Sequence, residues 1–403
     1  MELYLQVGWG MMEHCRTLCQ ELGGSTAILS PRDLDEDQLI RLSTELRGLG
    51  GSVLLDPQFY LPRADHHRLT SHAYWPDDYN TTGFAGDGRQ VMTRALVACN
   101  RRLQTTHLIV PGERADIVDE LWLESQRGFL EAARDATDQP LIMTICLSAE
   151  AIRSNDQINL VMEQAEQMSI SGYYLVAERP GLAYLVDDPQ WLANTLDLAA
   201  GLRRLETDVI VGYSNHQQLI MACAGVNAIA SGTWMNVRSF FPDKFRSSYE
   251  DEIKRRATWY YCPQALSEYT LPYLDIGFRL GLRDELMPDP PTPYANPIFE
   301  VSQPSASGWT ESDAFRHYLT ALNQQVHSAT CRSFVEAVAT HRALLDRAEG
   351  VLKRFREHGI SSPTRGFQDA VDANRAALII LERTHGPMLG RRWADFVSDA
   401  HHE

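Results

Sequence analysis

The chain has 403 residues, 44% hydrophobic and 22% charged, ordinary values for a globular protein that can bury a large core. Its formal net charge of −16 works against non-specific nucleic-acid binding, which depends on neutralising phosphates; Arg101–Arg102 and Lys244–Arg256 are where a local basic exception would sit. No apolar run reaches membrane-spanning length, and Met1–Val7 reads as a first strand rather than a leader, so a cytoplasmic protein is expected.

Strand-like runs alternate with helical periodicity along most of the chain. Strands are expected near Leu3–Val7, Thr26–Ser30, Ser52–Asp56, His107–Val110, Leu141–Cys146, Gly172–Val176, Val209–Tyr213 and Asn227–Ala230. Helices are expected at Asp35–Arg47, Gln90–Leu103, Ala115–Ala136, Ala149–Met168 and Pro189–Leu205, with one more capped by Ser214 and Asn215 and stopped at Gly225. Eight strands, each followed by a helical connection, is the count of a (β/α)8 barrel. A doubly wound sheet is the alternative, but GWG after the first strand is not its glycine fingerprint.

Pro57–Arg89 interrupts the alternation with a long polar and aromatic connection, placed where a barrel would carry a lid or partner-binding loop. Pro288–Pro293 and Gln303–Gly308 read as linkers into a helical region comprising Glu311–His327, Arg332–His358, Phe367–Thr384 and Met388–Ala400. The expected division is therefore a barrel core over 1–258, a connecting segment over 259–310 and a helical region over 311–403. The seven scattered cysteines form no CxxC pair, which suits reduced thiols better than a disulfide framework.

In a barrel the strand C-termini face a common site. They offer Asp56, Glu113, Cys146–Ser148, Glu178, Asn215, His216, Ser231 and Arg238. Asp56, in LLDPQFYLP, is either a carboxylate aimed into the site beside the flat rings of Phe59 and Tyr60, or an Asp-Pro turn capping local backbone. Glu178 could share acid/base work with Asp56 or pair with its neighbour Arg179. Asn215 and His216 open a helix, where an anion could dock or a capping turn could leave the imidazole at the surface. Arg238 could clamp an anion or join an ordinary ion pair. Asp65, His66, His67 and His72 suggest a metal-dependent hydrolase less well than a solvated loop, because no HxH marks the first strand.

The run VIVGYSNHQQLIMACAGVNAIASGTWMNVR, Val209–Arg238, resembles the end of the barrel in tRNA-guanine transglycosylases. The resemblance implies an acid/base role for Asp56 and ring stacking on guanine for Tyr60. Glu113 lies near the family's carboxylate after the fourth strand, Cys146–Ser148 near its amide, and Val176–Glu178 where the family has glycines. At the position of the attacking aspartate stands Ala230, which cannot be a nucleophile. The neighbouring Ser231 would face the other way on a strand.

The family's zinc segment, CxCxxC followed by a distant histidine, corresponds to YYCPQA and RHYL. Only Cys262 and His317 remain as ligands, with Tyr260 and Ala265 at thiolate positions, so zinc and other cofactors are expected to be absent. Such a chain is similar to the transglycosylase-like accessory proteins of type IV CBASS anti-phage systems. That likeness implies a pseudoenzyme binding a 7-deazaguanine-type nucleobase, or a cGAS/DncV-like nucleotidyltransferase with a deazaguanine-modified terminus. A homodimer through Phe240–Tyr261 and the helical tail is the expected assembly. The alternative is active exchange of a 7-deazapurine into tRNA or DNA, with Glu178 or Ser231 replacing the lost carboxylate.

Overall fold

The structure, a computed structural model, describes residues 1–249 and 257–398. Eight strands make the main path of one all-parallel sheet: β1 (Glu2–Gln6), β2 (Thr26–Leu29), β3 (Ser52–Leu55), β4 (Leu108–Val110), β5 (Leu141–Leu147), β6 (Gly172–Ala177), β7 (Asp208–Val211) and β8 (Ala228–Ser231), with a two-residue strand, Arg114–Ala115, added beside the end of β5. Their order is β3-β2-β1-β8-β7-β6-β5-β4, and the seam between β3 and β4 is bridged by Thr106 N–H donating to Val53 O at 3.2 Å. The result is a nearly closed α/β barrel. All eight expected strands are present, because strands buried on both faces read as near-continuous apolar runs; β5 (LIMTICL) is buried at every residue.

Helices α1 (Met12–Glu21), α2 (Glu36–Gly48), α3 (Arg89–Leu103), α4 (Glu120–Ala136) and α5 (Pro189–Arg204) lie in the connections around the sheet. Their starts are written in the sequence. Asp35 and Gln38 form a reciprocal capping box, and Asp188 caps the helix opened by Pro189. The expected helix after Asn215 is a 3-10 helix, His216–Ala224, buried at every residue and therefore without an amphipathic stripe. Expected helix 149–168 is two helices, Ala149–Arg153 and Asn155–Ala165, the second capped by Ser154.

The long 57–89 connection is folded down against the barrel. Phe59 is fully buried, its ring 5.4 Å from Phe84, 5.2 Å from Trp75 and 5.8 Å from Phe129 on α4. This aromatic cluster takes Phe59 away from the barrel mouth. His72 donates through Nε2 to the carbonyls of Pro31 and Leu34, and His66 stacks on His67 at 4.9 Å.

After the barrel comes an antiparallel hairpin, β9 (Trp259–Cys262) and β10 (Ser267–Thr270), then the long helices α6 (Glu311–Ala329), α7 (Phe334–Glu357), α8 (Ala370–Thr384) and α9 (Gly386–Ser398). The expected end at Ala400, and residues 250–256 of the expected basic patch and dimer surface, lie outside the described residues. His317 on α6 stacks parallel to Tyr260 at 4.9 Å, accepts from Thr292 Oγ1 at Nδ1 (2.6 Å) and donates from Nε2 to Tyr261 O (2.7 Å). Both ring nitrogens are thereby committed to the protein. Among the described residues no group of three or more potential metal ligands occurs, and no helix is long and apolar enough to cross a membrane. All seven cysteines are free and buried.

Hairpin and barrel are joined by a buried ionic centre. Glu268 on β10 accepts from Tyr184 Oη (2.6 Å), Arg238 Nη1 (3.3 Å) and Arg365 Nη1 (2.7 Å). Burial alone would raise its carboxyl, but the Arg365 and Arg238 guanidiniums outweigh that and hold it at about 2. The Arg238 guanidinium also lies 3.4 Å from the centre of the Tyr318 ring.

This centre gives acid sensitivity a definite sign. Glu268 contributes stability that is complete above its ordinary value of 4.5 and is lost as pH falls toward 2. His216 and His317, pushed down by burial to about 3 and about 4, contribute above 6.5 and lose that contribution as they are forced to protonate. The melting temperature is thus expected to fall below roughly pH 6.5 and more steeply below about 4.5. Glu268→Gln is expected to cost about 3–5 kcal/mol at neutral pH, since it leaves the buried Arg238 and the partly buried Arg365 guanidiniums without their carboxylate. Melting temperature measured across pH 8 to 3.5 checks both; a profile flat down to pH 5 contradicts the first.

Candidate functional site

Strand register identifies what lines the barrel mouth. Paired residues of adjacent strands share a face, and residues two apart on one strand do too. Tyr4 pairs with Ala230, Gln6 with Ile28, Ile28 with Leu54, Tyr174 with Ile210 and Ile210 with Ala228. Gln6, Tyr174 and Ala230 therefore share one face, and Asp56, two residues past Leu54, continues it. Tyr174 bridges the group across the interior, donating its hydroxyl to Gln6 Oε1 at 2.9 Å and approaching Asp56 Oδ2 at 3.4 Å. Ser231 pairs with Leu5, one residue out of phase, and lies on the opposite face.

Asp56 is completely buried, and its carboxylate is surrounded by donors. Tyr60 Oη lies 2.8 Å from both carboxylate oxygens, Tyr213 Oη 2.8 Å from Oδ2, and Gln58 N–H donates to Oδ1 at 2.9 Å. The Gln58 contact is the Asp-Pro turn read from the sequence; the tyrosines are the inward-facing carboxylate read beside it. Burial raises the carboxyl, opposed by the Tyr60 and Tyr213 phenols, the Gln58 amide and the charge of Lys244. Asp56 has no direct ion pair among the described residues. The next carboxylate along the bonded chain is Asp33, reached through Gln58 Nε2 and Ser30 Oγ, and it is paired with Arg32 at 2.7 Å.

The backbone is bent to make these contacts. Gln58 and Tyr213 both lie in the left-handed region, with φ of 55° and 50°, which is rare for a residue with a side chain. Such conformations cost on the order of 1 kcal/mol each and persist where the surroundings over-determine them. Gly212 is required here: a Cβ would lie 2.4 Å from Tyr174 Oη. Above the carboxylate, Tyr60 packs against Phe240 (5.0 Å) and Phe245 (5.3 Å), while Arg114 N–H holds Tyr60 O at 2.9 Å.

The other expected residues are placed elsewhere. Glu178 pairs with Arg114, not with Asp56 and not with its neighbour Arg179. Arg179 instead reaches Tyr184 O and Gln218 Oε1. Glu113 accepts from Ser125 Oγ on α4 at 3.2 Å, and burial raises its carboxyl. Asn215 caps the 3-10 helix and donates to Tyr184 O at 2.6 Å. His216 is buried among Tyr184, Tyr261, Tyr318 and Phe367 rather than at the surface. Arg238 is the ion-pair partner of Glu268. The sequence reading missed Gln6, Gln58, Tyr174, Tyr213 and Lys244. Tyr213 at the end of VIVGY and Tyr174 in GYYLVA were visible at the relevant strands, but nothing local pointed them at Asp56.

No family model matches the chain, and no curated protein matches it. Among solved structures, 3-dehydroquinate dehydratase from Aquifex aeolicus VF5 is similar over 60% of this chain and 92% of that one, at 10% identity and a TM-score of 0.33. Dihydrodipicolinate synthase from Acinetobacter baumannii, solved with pyruvate, is similar over 89% of this chain and 99% of that one, at 9% identity and a TM-score of 0.34.

Gly212→Ala is expected to push the Tyr174 hydroxyl off Asp56 and to cost about 1–3 kcal/mol by overpacking. Asp56→Ala, which strands the Tyr60 and Tyr213 phenols and the Gln58 amide in the interior, is expected to cost about 3–5 kcal/mol. Urea denaturation of both variants measures this; a loss below about 1 kcal/mol for Asp56→Ala would mean the network is not holding the mouth together.

Proposed function

We propose that this chain is a binding protein built on a transglycosylase-type barrel, holding a 7-deazaguanine-type base, or a partner protein carrying one, without exchanging it. The observation that carries the reading is the pairing on one inner face of a retained carboxylate, Asp56, with Ala230 where the resemblance puts the attacking group. Base exchange needs a carboxylate that forms a bond to C1′ and a second group to move protons between departing and incoming bases. Asp56 suits the second task, since burial raises its carboxyl and phenols hold it in place. The first task has no occupant in the Asp56 network. Ser231 lies on the opposite face, and Glu178 is committed to Arg114.

A base reaching Asp56 would meet the Tyr60 ring and would have to displace the Phe240–Phe245 segment that covers it. Binding is therefore coupled to a movement of that segment. In the same reading the partner is a cGAS/DncV-like nucleotidyltransferase of an anti-phage operon, the protein is a homodimer, and no metal takes part.

Calorimetry with 7-cyano-7-deazaguanine is expected to show binding that Asp56→Ala weakens by roughly tenfold to a hundredfold, the value of a buried charge-assisted hydrogen bond. Labelled guanine is expected not to enter tRNA or DNA. Incorporation that disappears in Asp56→Ala would establish exchange and end the proposal; so would the absence of binding to both the base and the nucleotidyltransferase.

A further inference from the structure

Lys244 is almost fully buried, at 1% exposure, and its ammonium enters the mouth from outside the sheet. Its Nζ lies 4.2 Å from the centre of the Tyr213 ring and 4.9 Å from that of Phe245, and donates to Asn236 O at 2.9 Å. Tyr213 is the residue whose hydroxyl holds Asp56, and the Lys244 charge acts directly on that carboxylate. A carboxylate bonded to neutral donors, aromatic faces on two sides and a carbonyl acceptor together make a site for a desolvated ammonium.

The segment that delivers Lys244 is tied down mainly by contacts between loops. Arg32 Nε donates to Lys244 O (3.1 Å), His66 N–H to Phe245 O (3.2 Å), and Ser247 donates from its amide and its hydroxyl to Asp65 (2.6 Å each). Two buried polar atoms nearby have no hydrogen-bond partner among the described residues. One is Gln6 Nε2, on a side chain whose Oε1 is bonded to Tyr174; the other is Asn236 Oδ1, on the residue whose carbonyl receives Lys244.

We infer that the mouth around Asp56 is a recognition cage for a primary alkylammonium group, and that Lys244 fills it as an internal stand-in. The ligand class is an ammonium on a linear stem of about the length of a lysine side chain, from either a free alkylamine or a lysine of a partner polypeptide. Its entry displaces the Phe240–Ser247 segment and brings a donor that the unpartnered Asn236 Oδ1 can accept. The inference holds whatever body the ammonium is attached to, so it stands apart from the deazaguanine reading.

The test is chemical rescue of Lys244→Ala in the full chain. n-Butylammonium is expected to raise the melting temperature of this variant and to bind it roughly tenfold more tightly than n-butanol, the margin of a buried cation–aromatic contact. Adding Asp56→Asn to Lys244→Ala is expected to abolish that preference. Comparison with Nα-acetyl-lysine methylamide separates the sources: tighter binding of the peptide analogue assigns the site to a partner's lysine, tighter binding of the amine to a small molecule. Should Lys244→Ala not fold, amide exchange in the wild-type chain gives the same answer, with n-butylammonium but not n-butanol accelerating exchange across Phe240–Ser247. Equal effects of amine and alcohol, or no effect of either, overturn the cage. Base binding is read in a separate titration, so failure of one leaves the other standing.

Discussion

An ionisable carboxyl group at the centre of a barrel must be given donors, or the fold must do without it. Asp56 receives them from three stretches of chain far apart in sequence: Gln58 and Tyr60 just beyond β3, Tyr174 within β6 and Tyr213 just beyond β7. Much of the local geometry follows from that one requirement. The backbone turns into the left-handed region twice to aim Gln58 and Tyr213 inward, Gly212 leaves room for the Tyr174 hydroxyl, and Gln6 fixes that hydroxyl from the far side of the sheet. The carboxylate thus acts as a staple across a barrel whose own backbone seam between β3 and β4 is thin.

The molecule contains two buried carboxylates treated in opposite ways. Asp56 is surrounded by phenols and an amide, and its carboxyl is raised by burial. Glu268 has two guanidiniums in direct contact, and its carboxyl is held far down. Full-charge partners in contact outweigh desolvation, whereas neutral donors only moderate it. The Glu268 centre is accordingly a fixed structural joint. The Asp56 centre, whose nearest positive charge comes from a loop, is the one whose balance a visiting group can change.

The barrel was legible because each parallel strand is a short apolar run with a helix-length spacer, and the caps at Asp35 and Asp188 mark where spacers begin. Asp56 and Tyr60 were legible because both follow a strand directly. The rest of the network was not, because Tyr174, Tyr213 and Gln6 meet Asp56 only through sheet closure, and contacts over 118 to 157 residues leave no local periodicity. Glu178 shows the converse. Its neighbour Arg179 made the obvious pair on paper, yet Arg114, 64 residues away, takes it. Both readings offered for His216, an anion-docking turn and a surface cap, place it near solvent, because nothing local shows that Tyr318 and Phe367 from the last third of the chain cover it.

The position of Glu268 in the chain also bears on how the protein is made. Arg238 leaves the ribosome with the last barrel strand, some thirty residues before the hairpin that supplies its counter-charge, and Arg365 follows far later. Until that hairpin has been synthesised, the chain just beyond β8 holds a cation that is costly to enclose. Burial of Arg238 without penalty thereby waits on residues that lie beyond the last barrel strand.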